Sequence, residues 1–237
     1  MTDKSKKTMP DWLPFVVGAL LVIQFAGLGV WQISRGLEKQ ANRGAFNNQE
    51  RAAGFTTGME VRPYQRLRVT GRFDAGRQFL LDNIMLNSRY GHYVLTPLTV
   101  GDGEPLLIVN RGWIERAGKD IDTQSIALRD ARVTVHGRVG SLPRAGYRMG
   151  EALLADATWP RHAVFPTLDE LATSLGQDVQ PFVLLMDPDD DYGLLRHWVP
   201  EVMGPGRHFG YAFQWFAMGA VLAAMLVWNF RRRGLRR

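Results

Sequence analysis

The chain contains no cysteine. Disulfide bonds, thiol nucleophiles, redox-active cysteine pairs and thiolate metal sites are therefore excluded. Charged side chains are absent from two long apolar runs, residues 12–33 and 209–230, and tryptophans stand near the ends of both. A helix over either run would be about 33 Å long, enough to cross a hydrocarbon core of about 30 Å. The sequence therefore predicts two transmembrane helices with tryptophans at the membrane interface.

Positive charge lies outside the two runs. Lys4, Lys6 and Lys7 precede the first run, arginines follow the second, and residues 35–208 carry as many acidic as basic side chains. The positive-inside rule then places both termini in the cytoplasm and the middle segment in the periplasm of a bacterial inner membrane. The net charge of +6 indicates topology and gives no sign of nucleic acid binding. We interpret the first run as an uncleaved anchor, because it is longer than the apolar core of a signal peptide.

The predicted organisation has five parts. They are a cytoplasmic tail 1–11, transmembrane helix 12–33, a periplasmic α+β domain 34–208, transmembrane helix 209–230 and a basic cytoplasmic tail 231–237. With no cysteine, the domain must be stabilised by its own core, for which its length suffices.

The middle segment alternates apolar and polar residues, as half-buried strands do. The predicted strands are 64–73, 77–83, 93–100, 106–114, 131–139 and 180–187. The first helix is expected to continue as a polar helix to about Gly54, "GDGE" at 101–104 to turn a hairpin, and "TLDELATSLG" from Thr167 to form a short helix with a capping box. The predicted fold class is a membrane protein whose two transmembrane α-helices flank a mainly antiparallel β domain, barrel-like or curled.

Catalytic and metal-binding patterns are weak in this sequence. The histidines are His92, His136, His162, His197 and His208, and no two share a helix turn or strand face by spacing, so a zinc site has little support. His136 is expected on the polar face of its strand. "DPDDDYG" at 187–193 lacks the glycine and final glutamate of an EF-hand loop and is interpreted as an acidic turn. No Ser/His/Asp arrangement or glycine-rich phosphate loop stands out, so we expect a non-enzymatic protein.

Three stretches, in this order around an external β domain, resemble the Surfeit-locus (Surf-one) family of cytochrome c oxidase assembly factors. They are "WQISRGLEKQ" at the end of the first run, "GHYVLTPL" followed by "LLIVNRGWI", and "RHFGYAFQWF" entering the second run. The resemblance extends from about Trp12 to Phe230. The chain departs from the family at Glu115, where proline is frequent, and at Gly206, where asparagine is frequent.

The resemblance implies a chaperone that binds haem a and assists its insertion into the catalytic subunit I of cytochrome c oxidase. Bacterial members of the family are described as binding haem a through a histidine at the start of the second span, the position of His208. Tyr211 and Trp215 would stack on the porphyrin, and Arg207 or Arg35 would pair with a propionate. The implied partners are oxidase subunit I, other oxidase assembly factors, the haem a synthesis enzyme and the membrane.

Several alternatives stay open from the residues themselves. His208 and Tyr211 also suit a polar interface belt, and the protein could be a structural scaffold for oxidase assembly without haem. The second axial ligand could be Met203, His197 or the His208 of another copy in a homo-oligomer. The small residues that follow His208 at helical spacing suit either a partner helix or a flat macrocycle.

The segment Arg111, Gly112 and Trp113 also has two interpretations. It is either a docking edge for the oxidase or a structural element of the β domain. In the structural case Arg111 would pair with an acid, Gly112 would allow a bend and Trp113 would pack in the core.

Overall fold

The computed structural model describes residues 10, 12–48, 50–116, 123–129, 131–143, 158–198 and 204–234. The chain divides into two compact units. One unit comprises Met1–Gly44 together with Pro200–Arg237, and the other is Ala45–Val199. The first unit contains the two long helices and the second contains the sheet, so the division follows the predicted order of apolar and alternating segments.

Two long helices begin and end the described chain, α1 at Leu13–Asn47 and α3 at Pro205–Gly234. Both are long and apolar enough, by length and composition, to cross a membrane, which suggests a membrane protein. Proline at the first position of α3 fits because its fixed φ suits a helix and its missing N–H would be unpaired there. Arginines in the last turn of α3 complement the negative end of the helix dipole.

The prediction that the first helix continues to about Gly54 was wrong. Helix α1 ends at Asn47, and strand β1 follows at Ala53–Gly54, pairing in parallel with β2. The polar residues of this stretch favour a helix locally, but pairing with the sheet decides the conformation of the last of them.

The second unit is built on an eight-stranded sheet with the order β1-β2-β6-β8-β5-β4-β3-β7. The remaining strands are β2 Arg66–Phe73, β3 Phe79–Leu86, β4 Arg89–Thr99, β5 Leu106–Glu115, β6 Arg132–Gly140, β7 Arg161–Ala163 and β8 Val179–Met186. Every strand predicted from the alternating pattern is present. The sequence analysis missed β1 and β7, which at two and three residues are too short to show a period.

Most strand pairs are antiparallel, as predicted, while β1–β2, β3–β7 and β5–β8 are parallel. The hairpin between β4 and β5 is confirmed, with Gly103 at φ 75°. Strand β2 pairs with β6 and, through Arg72 and Phe73, also with β4. The pairings β2–β6–β8–β5–β4 therefore return to β2.

The core of this unit consists of two main clusters of buried apolar side chains. In β2, Leu67, Val69 and Phe73 point into one cluster and alternate with exposed residues. Helix α2, Leu168–Leu175, covers the other cluster with Leu171. Its N-terminus carries the predicted capping box between Thr167 and Glu170, and Gly176 ends it in the left-handed conformation.

Candidate functional site

Glycines of α1 lie opposite large side chains of α3. A Cβ at any of three glycines would come within 2.7 Å of an atom near the end of the facing side chain, so a larger residue would force that side chain to shift, whereas glycine allows the close approach. The pairs are Gly18 with Leu226, Gly29 with Phe216 and Gly36 with Phe209. Residue numbers rise along α1 as they fall along α3, so the two helices run antiparallel and their contact fixes which face of α3 is turned toward α1.

This packing brings His208 against Gln32 of α1. The Nδ1 atom of His208 lies 2.8 Å from Oε1 of Gln32. An amide oxygen only accepts hydrogen bonds, so Nδ1–H of the ring donates and the lone pair lies on Nε2. A hydrogen bond of this kind orients a histidine that ligates a metal through its other nitrogen. The sequence analysis missed Gln32, which is 176 residues from His208.

The other predicted haem-binding residues divide between two faces of α3. The ring of Trp215 lies 5.7 Å from that of Phe25 on α1, with 31° between their planes. Tyr211 is 51% exposed, and Arg207 is exposed as well. The structure thus brings His208 and Trp215 to the edge of the helix pair and leaves Tyr211 and Arg207 outside it.

The small residues of α3 pack toward α1. Ala212 is buried, and a Cβ at Gly219 would lie 3.5 Å from the Cβ of Phe25. The sequence left open whether these small residues face a partner helix or a macrocycle. In the structure, helix α1 occupies the space beside Ala212 and Gly219. On α1, Arg35 forms an exposed ion pair of 2.7 Å with Glu38.

Met203 falls outside the residues that the structure describes, and His197 is an exposed residue of the β-rich unit. A second ligand from another copy of the chain stays a prediction.

Arg111 is buried inside the β-rich unit, with only 3% of its surface exposed. Its Nε donates to the carbonyl oxygen of Tyr192 at 2.8 Å, and its Nη1 donates to Gln78 Oε1 at 3.0 Å and to the carbonyl oxygen of Ile126 at 2.8 Å. Burial lowers the pKa of Arg111 to about 10, so it stays protonated at neutral pH. Among the described residues, the hydrogen-bond partners of Arg111 are neutral oxygens. The prediction that Arg111 pairs with an acidic side chain was therefore wrong for this part of the chain.

Gly112 and Trp113 are also enclosed by structure. Gly112 has φ 120°, and a Cβ there would lie 2.8 Å from the carbonyl oxygen of Leu195. Trp113 is 6% exposed and its indole N–H donates to the carbonyl oxygen of Ile84 at 3.0 Å. Their strand, β5, lies between β4 and β8 and is an interior strand. The geometry fits the structural interpretation of this segment; its role in docking the oxidase stays a prediction.

A group of potential metal ligands that the sequence analysis missed lies on β3, β4 and β7. Oδ1 of Asp82 lies 2.6 Å from Nδ1 of His92 and 2.8 Å from Nδ1 of His162. The expectation that histidine spacing gives little support for a metal site considered single helices and strands, whereas these ligands come from three strands. Burial by itself would raise the pKa of Asp82, but the hydrogen bonds and charges of the two histidines outweigh it and lower that pKa.

The structure agrees with two further predictions, one for His136 and one for the acidic turn at 187–193. His136 lies on the partly exposed face of β6, opposite in parity to the buried Val135, and its Nδ1 is 3.2 Å from Oδ1 of Asp190. The acidic turn after β8 makes ion contacts within the protein, since Asp187 pairs with Arg66 at 2.5 Å. The carboxylates of Asp187 and Asp190 therefore make internal contacts, in line with the structural interpretation.

The chain matches known proteins over most of its length. The model of the SURF1 family matches residues 19–220. A SURF1-like protein of Rickettsia bellii is 26% identical over 215 residues, which cover 84% of this chain and 83% of that protein. A SURF1-like protein of Drosophila melanogaster is 24% identical over 152 residues, which cover 55% of this chain and 49% of that protein. The match runs from within α1 through the whole sheet and into α3, so the resemblance of the sequence motifs is confirmed, and the chain belongs to the SURF1 family.

Proposed function

We propose that this protein is an assembly factor for haem–copper (cytochrome c) oxidase that binds haem a and assists its insertion into subunit I. Membership of the SURF1 family, a family of oxidase assembly factors, supports the general role. One observation carries the haem-binding step: the hydrogen bond between His208 and Gln32, which places the lone pair of the ring on Nε2. A neutral imidazole with an oriented lone pair is a common ligand of haem iron.

The residues around His208 would each contribute differently. Gln32 holds the Nδ1–H of the ring and so sets its orientation and tautomer. Tyr211 and Trp215 offer aromatic faces, and the exposed guanidinium of Arg207 suits a bidentate pair with a carboxylate of the cargo. Bound here, haem a would be held through its iron and released unchanged. Ligation through one histidine near the start of α3 suits reversible transfer, and the role requires no catalytic acid or base.

The proposal includes a location. Helices α1 and α3 would cross a bacterial inner membrane with both termini in the cytoplasm, as the tail charges support. The β-rich unit would lie in the periplasm, and its ring of strand pairings supports the barrel-like or curled sheet expected from the sequence. His208, near the start of α3, would then meet its cargo and subunit I near the outer leaflet.

The test is haem content after purification. The full-length chain would be expressed in cells that make haem a, purified in detergent, and analysed by reduced-minus-oxidised spectra and extracted haem. We expect His208→Ala to lose at least 90% of the bound haem a, and Gln32→Leu to weaken binding by about 10–100-fold, because it keeps the ligand but loses its orienting partner. His136→Ala, a histidine of the other unit, is the matched control and should keep its haem.

A scaffold without haem is the second candidate. Helix α3 exposes large apolar side chains such as Phe213 at 76% and Val221 at 61%, which suit lipid or a helix of an oxidase subunit. Copurification of subunit I would be measured for the same variants. Full haem content in His208→Ala would refute the haem site, and unchanged recovery of subunit I by a haem-free wild-type protein would favour the scaffold.

A further inference from the structure

Asp82, His92 and His162 bring three ligand atoms to one point in the β-rich unit. The two Nδ1 atoms lie 2.6 and 2.8 Å from Asp82 Oδ1, and all three atoms lie within 4.8 Å of one another. The rings of His92 and His162 stand nearly perpendicular, at 77°, with centroids 5.5 Å apart. In the part of the chain that the structure describes, no other group of three or more His, Asp or Glu side chains brings its ligand atoms this close together.

The backbone of β3 is irregular where it carries Asp82. The register between β3 and β4 shifts between Leu81 and Ile84, and Asn83 has φ 62°, a left-handed conformation that costs energy for a residue other than glycine. Such bulges re-aim a side chain and are frequent beside functional sites. Regular alternation from the buried Leu81 turns Asp82 to the face that carries Leu80. On that face His162 pairs opposite Leu80, and His92 stands two residues before Val94, the partner of Leu80 on β4, so the pairing of the three strands brings the carboxylate to both imidazoles.

The group is enclosed on one side and open on the other. The side chain of His92 is 5% exposed, that of Asp82 is 18% exposed and that of His162 is 31% exposed. An ion held here would keep room for water or another ligand beside the three protein atoms. All three side chains stand on strands, which hold ligands more precisely than loops do.

We propose that Asp82, His92 and His162 form a binding site for a divalent first-row transition ion. The two imidazole nitrogens and one carboxylate oxygen make a donor set that suits Zn²⁺ and Cu²⁺. Around a tetrahedral ion with ligand bonds of about 2.0–2.1 Å, ligand atoms are about 3.3 Å apart, so binding would move the two imidazole nitrogens about half an ångström away from the carboxylate oxygen. To bind the ion, each ring would present the lone pair of its Nδ1 atom, so a neutral ring would carry its proton on Nε2 and a charged ring would release one proton to solvent.

Binding would link three strands. Strand β7 spans only Arg161–Ala163 at the end of the sheet and pairs with β3 in parallel. His162 lies at its centre, opposite Leu80. A bound ion would therefore fasten β7 to β3 and β4, and it should stabilise the folded state because the three ligands come together only there.

The test measures Zn²⁺ binding by the full-length chain in detergent after treatment with a chelator. His208→Ala serves as the parent, so that the proposed haem ligand cannot hold the probe. We expect one equivalent of Zn²⁺ by equilibrium dialysis and metal analysis. Adding Asp82→Asn should lower the affinity at least tenfold, since the amide oxygen still accepts from both rings but carries no charge. Co²⁺ should give visible d–d bands in the parent and lose them in the variant.

His136→Gln in the same parent is the matched control, because it removes a histidine–aspartate pair that has no second histidine. It should keep full binding. If the parent binds no Zn²⁺, or if Asp82→Asn binds as tightly, the three residues form only a hydrogen-bonded network and the proposal is refuted. His162→Ala, at a half-exposed position, gives a second test should Asp82→Asn fail to fold. In the parent alone, Zn²⁺ should raise the thermal unfolding temperature.

Discussion

Replacing Arg111 with methionine should destabilise the β-rich unit without altering any exposed surface. The guanidinium makes three hydrogen bonds to Tyr192, Gln78 and Ile126, and so joins β5 to the segment after β8 and to the 3₁₀ turn at Thr123–Ile126. Methionine fills a similar volume and makes none of these bonds. Gln78 Oε1 would keep the hydroxyl of Thr96 as a donor and the Ile126 oxygen would keep Gln78 Nε2, but the Tyr192 oxygen would lose the donor that Arg111 supplies. Losing these charge-assisted bonds is costly, so the substitution should weaken the fold.

The magnitude follows from two opposing effects. Hydrogen bonds to a charged group contribute about 1.5–3 kcal/mol each, so three of them contribute roughly 4.5–9 kcal/mol. Burial lowers the pKa of Arg111 to about 10, and this shift corresponds to a cost of about 3.4 kcal/mol for the buried charge, which methionine relieves. The expected net loss is about 1–6 kcal/mol, centred near 3 kcal/mol.

Urea unfolding of the full-length chain in detergent, read by pulse proteolysis, measures this loss. For a slope of about 2 kcal/mol per M, a loss of 3 kcal/mol lowers the midpoint by about 1.5 M. Arg132→Met, at an exposed position of β6, is the matched control and should change the stability by no more than about 0.5 kcal/mol. Arg111→Lys should also be destabilised, because a single ammonium cannot reproduce the planar fork of donors.

An unchanged midpoint for Arg111→Met would refute this reasoning. If that variant also lost association with oxidase subunit I, the docking interpretation of the segment would be favoured, since binding would then depend on Arg111 while folding would not. Reduced association together with reduced stability would support the structural interpretation.

Two further predictions concern the helices. Gly29→Leu should disrupt the α1–α3 contact, because a Cβ there would lie 2.7 Å from a phenyl ring of α3, whereas Gly27→Leu, with open space around it, should not. A disulfide introduced by Phe25→Cys with Gly219→Cys reports the contact in this cysteine-free chain; equal cross-linking in both leucine variants would contradict the prediction. Thr167→Ala should cost about 1 kcal/mol by removing the N-cap of α2, and a urea midpoint equal to that of wild type would refute it.

Local patterns in the sequence were enough to predict the two long helices, the short helix α2 and the longer strands. The uncharged runs predict α1 and α3 because a helix forms its backbone hydrogen bonds within one contiguous segment, so its presence can be read from that segment alone. Period-two alternation predicts β2, β6 and the other long strands because one face of each is buried. The capping box at Thr167 is equally local, since its two partners are three residues apart. The family motifs likewise lie in short contiguous stretches.

The tertiary structure alone decided which residues meet. Asp82 is ten residues from His92 and eighty from His162, and no sequence period relates positions on three different strands. The pairing of His208 with Gln32 depends on how two helices face each other across glycines. Arg111 looks like a surface cation in sequence, yet strand order buries it against carbonyl oxygens. Hydrophobic periodicity determines which face of an element is buried, whereas the neighbour it meets there is set by register and topology, which are properties of the whole chain.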